Sequence, residues 1–142
     1  MRRDMHNNVD VVRAITPVAI GATGTGQSSV IVDTRGYDGV EFVFSYGALA
    51  TNATITPTVF EGDTTGALTS VADADLLGTE AAAGLAQATG RTSGVFQNVT
   101  KRLGYIGDAR YVKVDLDSTV TSDCIVAANV ILSKPHRAPV AT

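Results

Sequence analysis

The residues of this chain that could do chemistry are few and scattered. Two histidines, His6 and His136, stand near opposite ends of the 142 residues, and Cys124 is the one thiol. A zinc site needs several Cys or His ligands at short spacing, and a lone cysteine supplies neither that cluster nor an intramolecular disulfide. Cys124 falls in an alternating apolar segment, so it reads as a small core residue rather than a nucleophile. The chain has no G-x-S-x-G elbow and no paired-His motif. Gly21–Gly26 is glycine-rich but lacks the Lys-Ser/Thr that completes a phosphate-binding loop, so it reads as a flexible turn. Asp73 and Asp75, or Asp115, Asp117 and Asp123, offer oxygens to Ca²⁺ without the glycine and distal Glu of an EF-hand loop, and read as turn or surface residues. Asn52-Ala53-Thr54 and Asn98-Val99-Thr100 match the glycosylation sequon, which matters only in an exported chain. These residue types predict no catalytic residue, no cofactor and no metal.

What is left for function is surface. The formal net charge is −3, which disfavours wholesale nucleic-acid binding. The charges are nevertheless segregated along the chain. Residues 36–90 hold Asp38, Glu41, Glu61, Asp63, Asp73, Asp75 and Glu80 and no Lys or Arg. Such asymmetry favours either a solvated acidic face or contact with another subunit. Arg91, Lys101, Arg102, Arg110 and Lys113 make a basic cluster with little aromatic interleaving, which suits a protein of complementary charge better than a nucleic acid. No apolar run approaches a membrane span, and Met1–Asn8 has no apolar signal region. The expectation is a chain that folds in a reducing cytoplasm.

The elements that must carry this surface are strands. Val, Ile and Thr account for 43 residues against 8 Leu, and β-branched side chains suit a pleated sheet. Val9–Ile15 is a first apolar stretch, ended by Thr16-Pro17. Ser29–Asp33 is a short strand. Val40–Tyr46 alternates, with Phe42, Phe44 and Tyr46 on one face. Thr54–Phe60 alternates too, and Pro57 places it at an edge or a bulge, since proline cannot donate to a ladder. Val71–Gly90 reads as an extended connection with one helical turn, because Gly78, Gly84 and Gly90 interrupt it. Ser93–Val99 alternates, and Lys101–Ile106 continues it or pairs with it. Arg110–Leu116 is the cleanest strand, with Val112, Val114 and Leu116 inward. In the last strand, Asp123–Leu132, the residues Cys124, Val126, Ala128, Val130 and Leu132 share one face.

The other face of that last strand, with Ile125, Ala127 and Ile131, is also mostly apolar, so the strand is central or covered by a partner. These three residues are the candidate oligomer face of a homo-oligomer, expected as a dimer. From Ser133 onward two prolines block ladder pairing, which predicts that the tail leaves the sheet. The whole is one all-β domain over residues 1–142: an antiparallel β-sandwich of about eight strands, jelly-roll-like, with extended arms over 1–8 and 134–142. The arms concentrate positive charge, so Arg2, Arg3, His6, Lys134, His136 and Arg137 are the candidate partner contacts.

Four segments carry a resemblance: Arg2–Val18 (RRDMHNNVDVVRAITPV), Asp73–Ala81 (DADLLGTEA), Leu103–Val114 (LGYIGDARYVKV) and Lys134–Ala141 (KPHRAPVA). Together they resemble the capsid cement, or decoration, proteins of tailed bacteriophages of the Bordetella-phage type. The resemblance implies a structural virion protein with no catalytic residues. It implies a jelly roll on the outer surface of an icosahedral head, made in the host cytoplasm, holding neighbouring major capsid subunits together, commonly as a dimer. Another virion part, such as a head–tail adaptor or tail-tip sandwich, and a carbohydrate-binding or adhesin sandwich are the alternative expectations. The absence of Trp weighs against the last.

Overall fold

The computed structural model describes residues 4–20, 26–86, 94–119 and 124–140. Its strands are β1 (Val9–Ile20), β2 (Gly26–Ser28), β3 (Val32–Asp33), β4 (Tyr37–Tyr46), β5 (Ile55–Gly62), β6 (Thr69–Ser70), β7 (Leu76–Leu77), β8 (Val99–Tyr105), β9 (Tyr111–Ser118) and β10 (Cys124–Pro135), with one helical turn, α1 (Glu80–Ala83). They make two antiparallel sheets. The first has the order β1-β10-β4-β8-β7; the second has the order β2-β9-β5-β6, with β3 also on β9.

The pairs are nested along the chain. The first strand lies on the last, β2 and β3 on β9, β4 on β8, and β5 on β6. One long hairpin has rolled over so that alternate pairs fall in opposite sheets. That is a jelly roll, as the residue pattern predicts.

The inner faces are set by alternation. Phe42, Phe44 and Tyr46 project from one side of β4 and stack at centroid distances of 6.4 and 6.2 Å. Val112, Val114 and Leu116 on β9 face Val126, Val130 and Leu132 on β10, and all six are buried. The Tyr46 hydroxyl, also buried, donates to the Ala83 carbonyl at 2.8 Å, so no polar group is stranded there.

The border of β5 shows why Pro57 is tolerated. β6 pairs only with Phe60 and Glu61. Nearer the strand start, Leu85 exchanges backbone bonds with Ile55, both 2.9 Å. Pro57 has no N–H to satisfy, and the Val59 N–H donates to Glu80 Oε1 at 2.7 Å. α1 therefore closes this border. It is capped by Thr79, whose hydroxyl accepts the Ala82 N–H. It ends at Gly84, where a Cβ would lie 2.3 Å from the Ile55 carbonyl, so only glycine permits the approach.

Four boundaries differ from the sequence reading. β1 does not stop at Thr16-Pro17 but continues to Ile20, with register shifts after Arg13 and Ile15 that place Pro17 in an irregular stretch of a border strand. β10 does not leave the sheet at Ser133 but pairs through Pro135, opposite Tyr37. The 94–98 stretch is not strand: Gly94 and Asn98 have positive φ, and the Gly94 N–H closes a turn on Gln97. The expected strand start at Asp123 lies outside the described residues.

The fourth difference is that Ser29–Asp33 is not one strand. Its chain crosses between sheets: the Ser29 N–H donates to Val114 O on β9, and the Val30 N–H donates to Ala14 O on β1. In the resulting gap the Ser29 hydroxyl accepts the Val114 N–H at 2.9 Å and donates to the Val30 carbonyl. A side chain thus fills a missing ladder position.

Two substitutions test this account in chemical denaturation with an unchanged m-value. Val114→Ala is expected to cost about 1–3 kcal/mol through lost burial and a cavity. Ser29→Ala leaves the Val114 N–H without its acceptor and is expected to cost about 1–3 kcal/mol, although it removes only one oxygen.

Candidate interaction surfaces

The outer faces of the two sheets differ in chemistry. On the second sheet the charges are matched locally. Lys113 Nζ lies 3.1 Å from Asp115 and 4.8 Å over the Phe60 ring. Arg110 bonds Asp33 through two nitrogens, at 3.1 and 2.7 Å, and stacks 4.7 Å over Tyr111. The Arg110 guanidinium holds the Asp33 carboxyl down at about 2.

The first sheet's outer face is mixed, with apolar side chains along β10 and at Val11 and Val43, and charged ones at Arg13, Glu41 and Arg102. β10 is central, as its two apolar faces predict, and Ile125, Ala127 and Ile131 point outward from it. Ile125 is 47% exposed. Across the sheet, Val11, Ile131 and Glu41 form one row, and Arg13, Asn129, Val43 and Arg102 the next. Arg102 and Glu41 make a loose pair at 3.7 Å.

The termini meet at one end of the sandwich. Asp4 accepts the backbone and side-chain amides of Asn7, at 3.1 and 2.8 Å, and Asn7's side-chain bond lowers its carboxyl pKa most. The Asn7 carbonyl takes the Val140 N–H at 3.1 Å. His136 bonds Gly36 through its backbone, and its ring Nε2 lies 2.6 Å from Asp38. The described parts of both arms therefore pack on their own domain. Between the C-terminal segment and the β3–β4 turn lies a groove of about 530 Å³, lined by Tyr37, His136, Arg137 and Pro139 among others. His6, Lys134 and Arg137 are exposed at this end. Arg2 and Arg3 lie outside the described residues.

The basic cluster is not one patch. Lys101 ties to the Ala82 and Gly84 carbonyls behind α1, and Arg102 faces outward on the first sheet. Arg110 and Lys113 belong to the second sheet, and Arg91 lies outside the described residues. Among the described residues no three His, Cys, Asp or Glu side chains come together as a metal site, and Cys124 is buried. Sequence reasoning missed Asp38 as the partner of His136, 98 positions away, and missed the exposure of Val11, Val30 and Ile31.

No protein-family model and no curated protein sequence matches the chain. Among solved structures, the infectious bursal disease virus VP2 subviral particle is similar at a TM-score of 0.52 and 8% identity, over 90% of this chain and 32% of that one. The fold is shared with a protein of a virus particle. This chain spans about a third of that neighbour's length, and identity so low shows the fold alone. A structure of the same virus's Gx strain, at a TM-score of 0.32 and 12% identity over 89% of this chain and 40% of that one, adds no argument.

The Asp33–Arg110 pair predicts a pH response. Asp33 ionises more readily folded than unfolded, so its contribution is complete above about pH 4 and fades as pH falls towards 2. Carboxyl NMR titration is expected to give a midpoint near 2, moving back towards 3.8 in Arg110→Ala. The pair is partly exposed, so the stability change is expected below about 1 kcal/mol.

Proposed function

We propose that the chain is a structural virion protein: a capsid cement, or decoration, protein of a tailed bacteriophage. It binds the outer surface of an icosahedral head and holds neighbouring major capsid subunits together, as a dimer made in the host cytoplasm. The observation that carries this reading is a jelly roll whose second sheet pairs charges on its outer face while the first sheet leaves apolar side chains, Val11 and Ile125 among them, exposed on its own. The fold's likeness to a viral capsid protein and the four resembling segments support the same reading. Ile125, Ala127 and Ile131 are the apolar part of the first sheet's outer face that assembly covers, since exposed apolar area marks an interaction surface.

The mechanism is mass action. A protein that binds the assembled shell and not its free subunits stabilises the shell by RT ln(1 + [L]/Kd). No bond is made or broken, and no active site is needed. Lys134 and Arg137, with His6 and the preceding Arg2 and Arg3, present positive charge to capsid carboxylates. His136 holds the C-terminal segment to Asp38 and is a positioning residue in this scheme.

The test is binding to heads stripped of decoration, read by co-sedimentation. Saturable binding is expected, weakening with salt because the charge contacts are exposed. Lys134→Glu with Arg137→Glu is expected to weaken it at least about tenfold, a change of about 1.4 kcal/mol. A well-folded protein that does not bind heads, or binds only at the neck, overturns this reading.

A further inference from the structure

The sandwich closes its strand borders by separate devices, with one exception. The β5 border is closed by Leu85, Pro57, Glu80 and β6. The far border of the first sheet carries β7 on Tyr105 and Gly104. The border formed by β2 and β3 is broken at Ser29–Ile31. On β1, the stretch from Ala14 onward has register shifts, Pro17 and the Val30 bond to Ala14. Two border stretches have no described backbone partner along their outer edge, Val99–Leu103 of β8 and Val9–Arg13 of β1; α1 lies beside the first and is tied to it through Lys101, which leaves Val9–Arg13 as the uncovered one among the described residues. An open edge of this kind is a template for another strand. Exposed β-branched residues flank it: Val11 from the first sheet, 58% exposed, and Val30 and Ile31 beside the second, 51% and 40% exposed.

We propose that Val9–Arg13 pairs antiparallel with Val9–Arg13 of a second copy, across a two-fold axis at Val11. The inference rests on the dimer reading above and specifies its geometry. In antiparallel pairing, opposed residues share a face, and centring on Val11 is the register that satisfies this while using all five residues. It sets Arg13 against Val9 and Asp10 against Val12, so no like charges stand directly opposed, whereas a parallel copy in register would set Asp10 beside Asp10 and Arg13 beside Arg13. A two-fold pairing consumes this border in both copies at once, so the contact closes at two instead of growing into fibres. The two first sheets become one continuous sheet, and Ile125, Ala127 and Ile131 of both copies face the same way. That doubled apolar face can lie across a seam between capsid subunits.

Cysteine cross-linking tests this. Opposed Cβ atoms in a strand pair lie about 4.5–5.5 Å apart, close to disulfide reach. Under oxidation, Val11→Cys is expected to give a covalent dimer and Ile125→Cys a monomer; the native Cys124 is buried. Val11→Lys is expected to sediment as a folded monomer at concentrations where the wild type is dimeric. A monomeric wild type, an uncross-linked Val11→Cys, or efficient cross-linking of Ile125→Cys overturns the proposal. If the wild type is monomeric and Val11→Lys loses head binding, the border takes a capsid strand and the second copy is excluded. A Val11-linked dimer that ignores heads supports this geometry and rejects the cement reading; a monomer that binds heads does the reverse.

Discussion

The rest of the molecule depends on β10 lying between β1 and β4. It pairs with β1 from Val9–Ser133 to Ile20–Cys124, and with β4 from Val126–Tyr46 to Pro135–Tyr37. Its inward residues, Cys124, Val126, Ala128, Val130 and Leu132, are all buried. A slip of one residue would turn this whole set outward, so the register is strongly specified. The β1–β10 pairing also closes the outermost layer of the nested hairpin. A central strand apolar on both faces buries one face and leaves the other on the surface, and that residue of apolar area is what a partner can cover.

The charge asymmetry of the sequence has a structural resolution. Because the pairs are nested, the acidic middle of the chain folds against its basic second half. Glu41 meets Arg102, Asp38 meets His136, Glu61 accepts the Tyr105 hydroxyl, and Glu80 takes the Val59 N–H. Burial and the Glu61 contact raise the Tyr105 pKa, so its hydroxyl stays protonated and available as a donor. Asp63, Asp73 and Asp75 lie in the turns around β6. Two of the seven acids thus meet a basic side chain within the domain, and exposed cations remain both on the first sheet's outer face, at Arg13, and at the terminal end, at Lys134 and Arg137.

The strands that alternate over a full inner face, β4, β9 and β10, were legible from residue pattern alone, because burial on one side enforces period two. The prolines misled at Thr16-Pro17 and at Pro135. Proline removes a donor, and that matters only where the N–H would face a neighbour; on a border strand or at a strand's last pair it does not. The 94–98 stretch alternates in type yet turns, since Gly94 and Asn98 take left-handed conformations that composition does not announce. The Ser29 crossover was illegible for a different reason: its hydroxyl substitutes for a backbone acceptor on β9, 85 positions away. The candidate surfaces follow the same division. Ile125, Ala127 and Ile131 could be read from one strand, whereas the uncovered border at Val9–Arg13 is recognisable only once the order of the strands, set by pairings between distant residues, is known.

The proposed role puts this jelly roll on the outside of an assembled head, bridging its subunits. A cryo-EM reconstruction of heads incubated with the purified protein tests it most directly. The account predicts sandwich-shaped density outside the shell, repeated at seams between capsid subunits, with the first sheet's outer face towards the shell. Density confined to the neck or tail, or a shell unchanged by saturating protein, would contradict it.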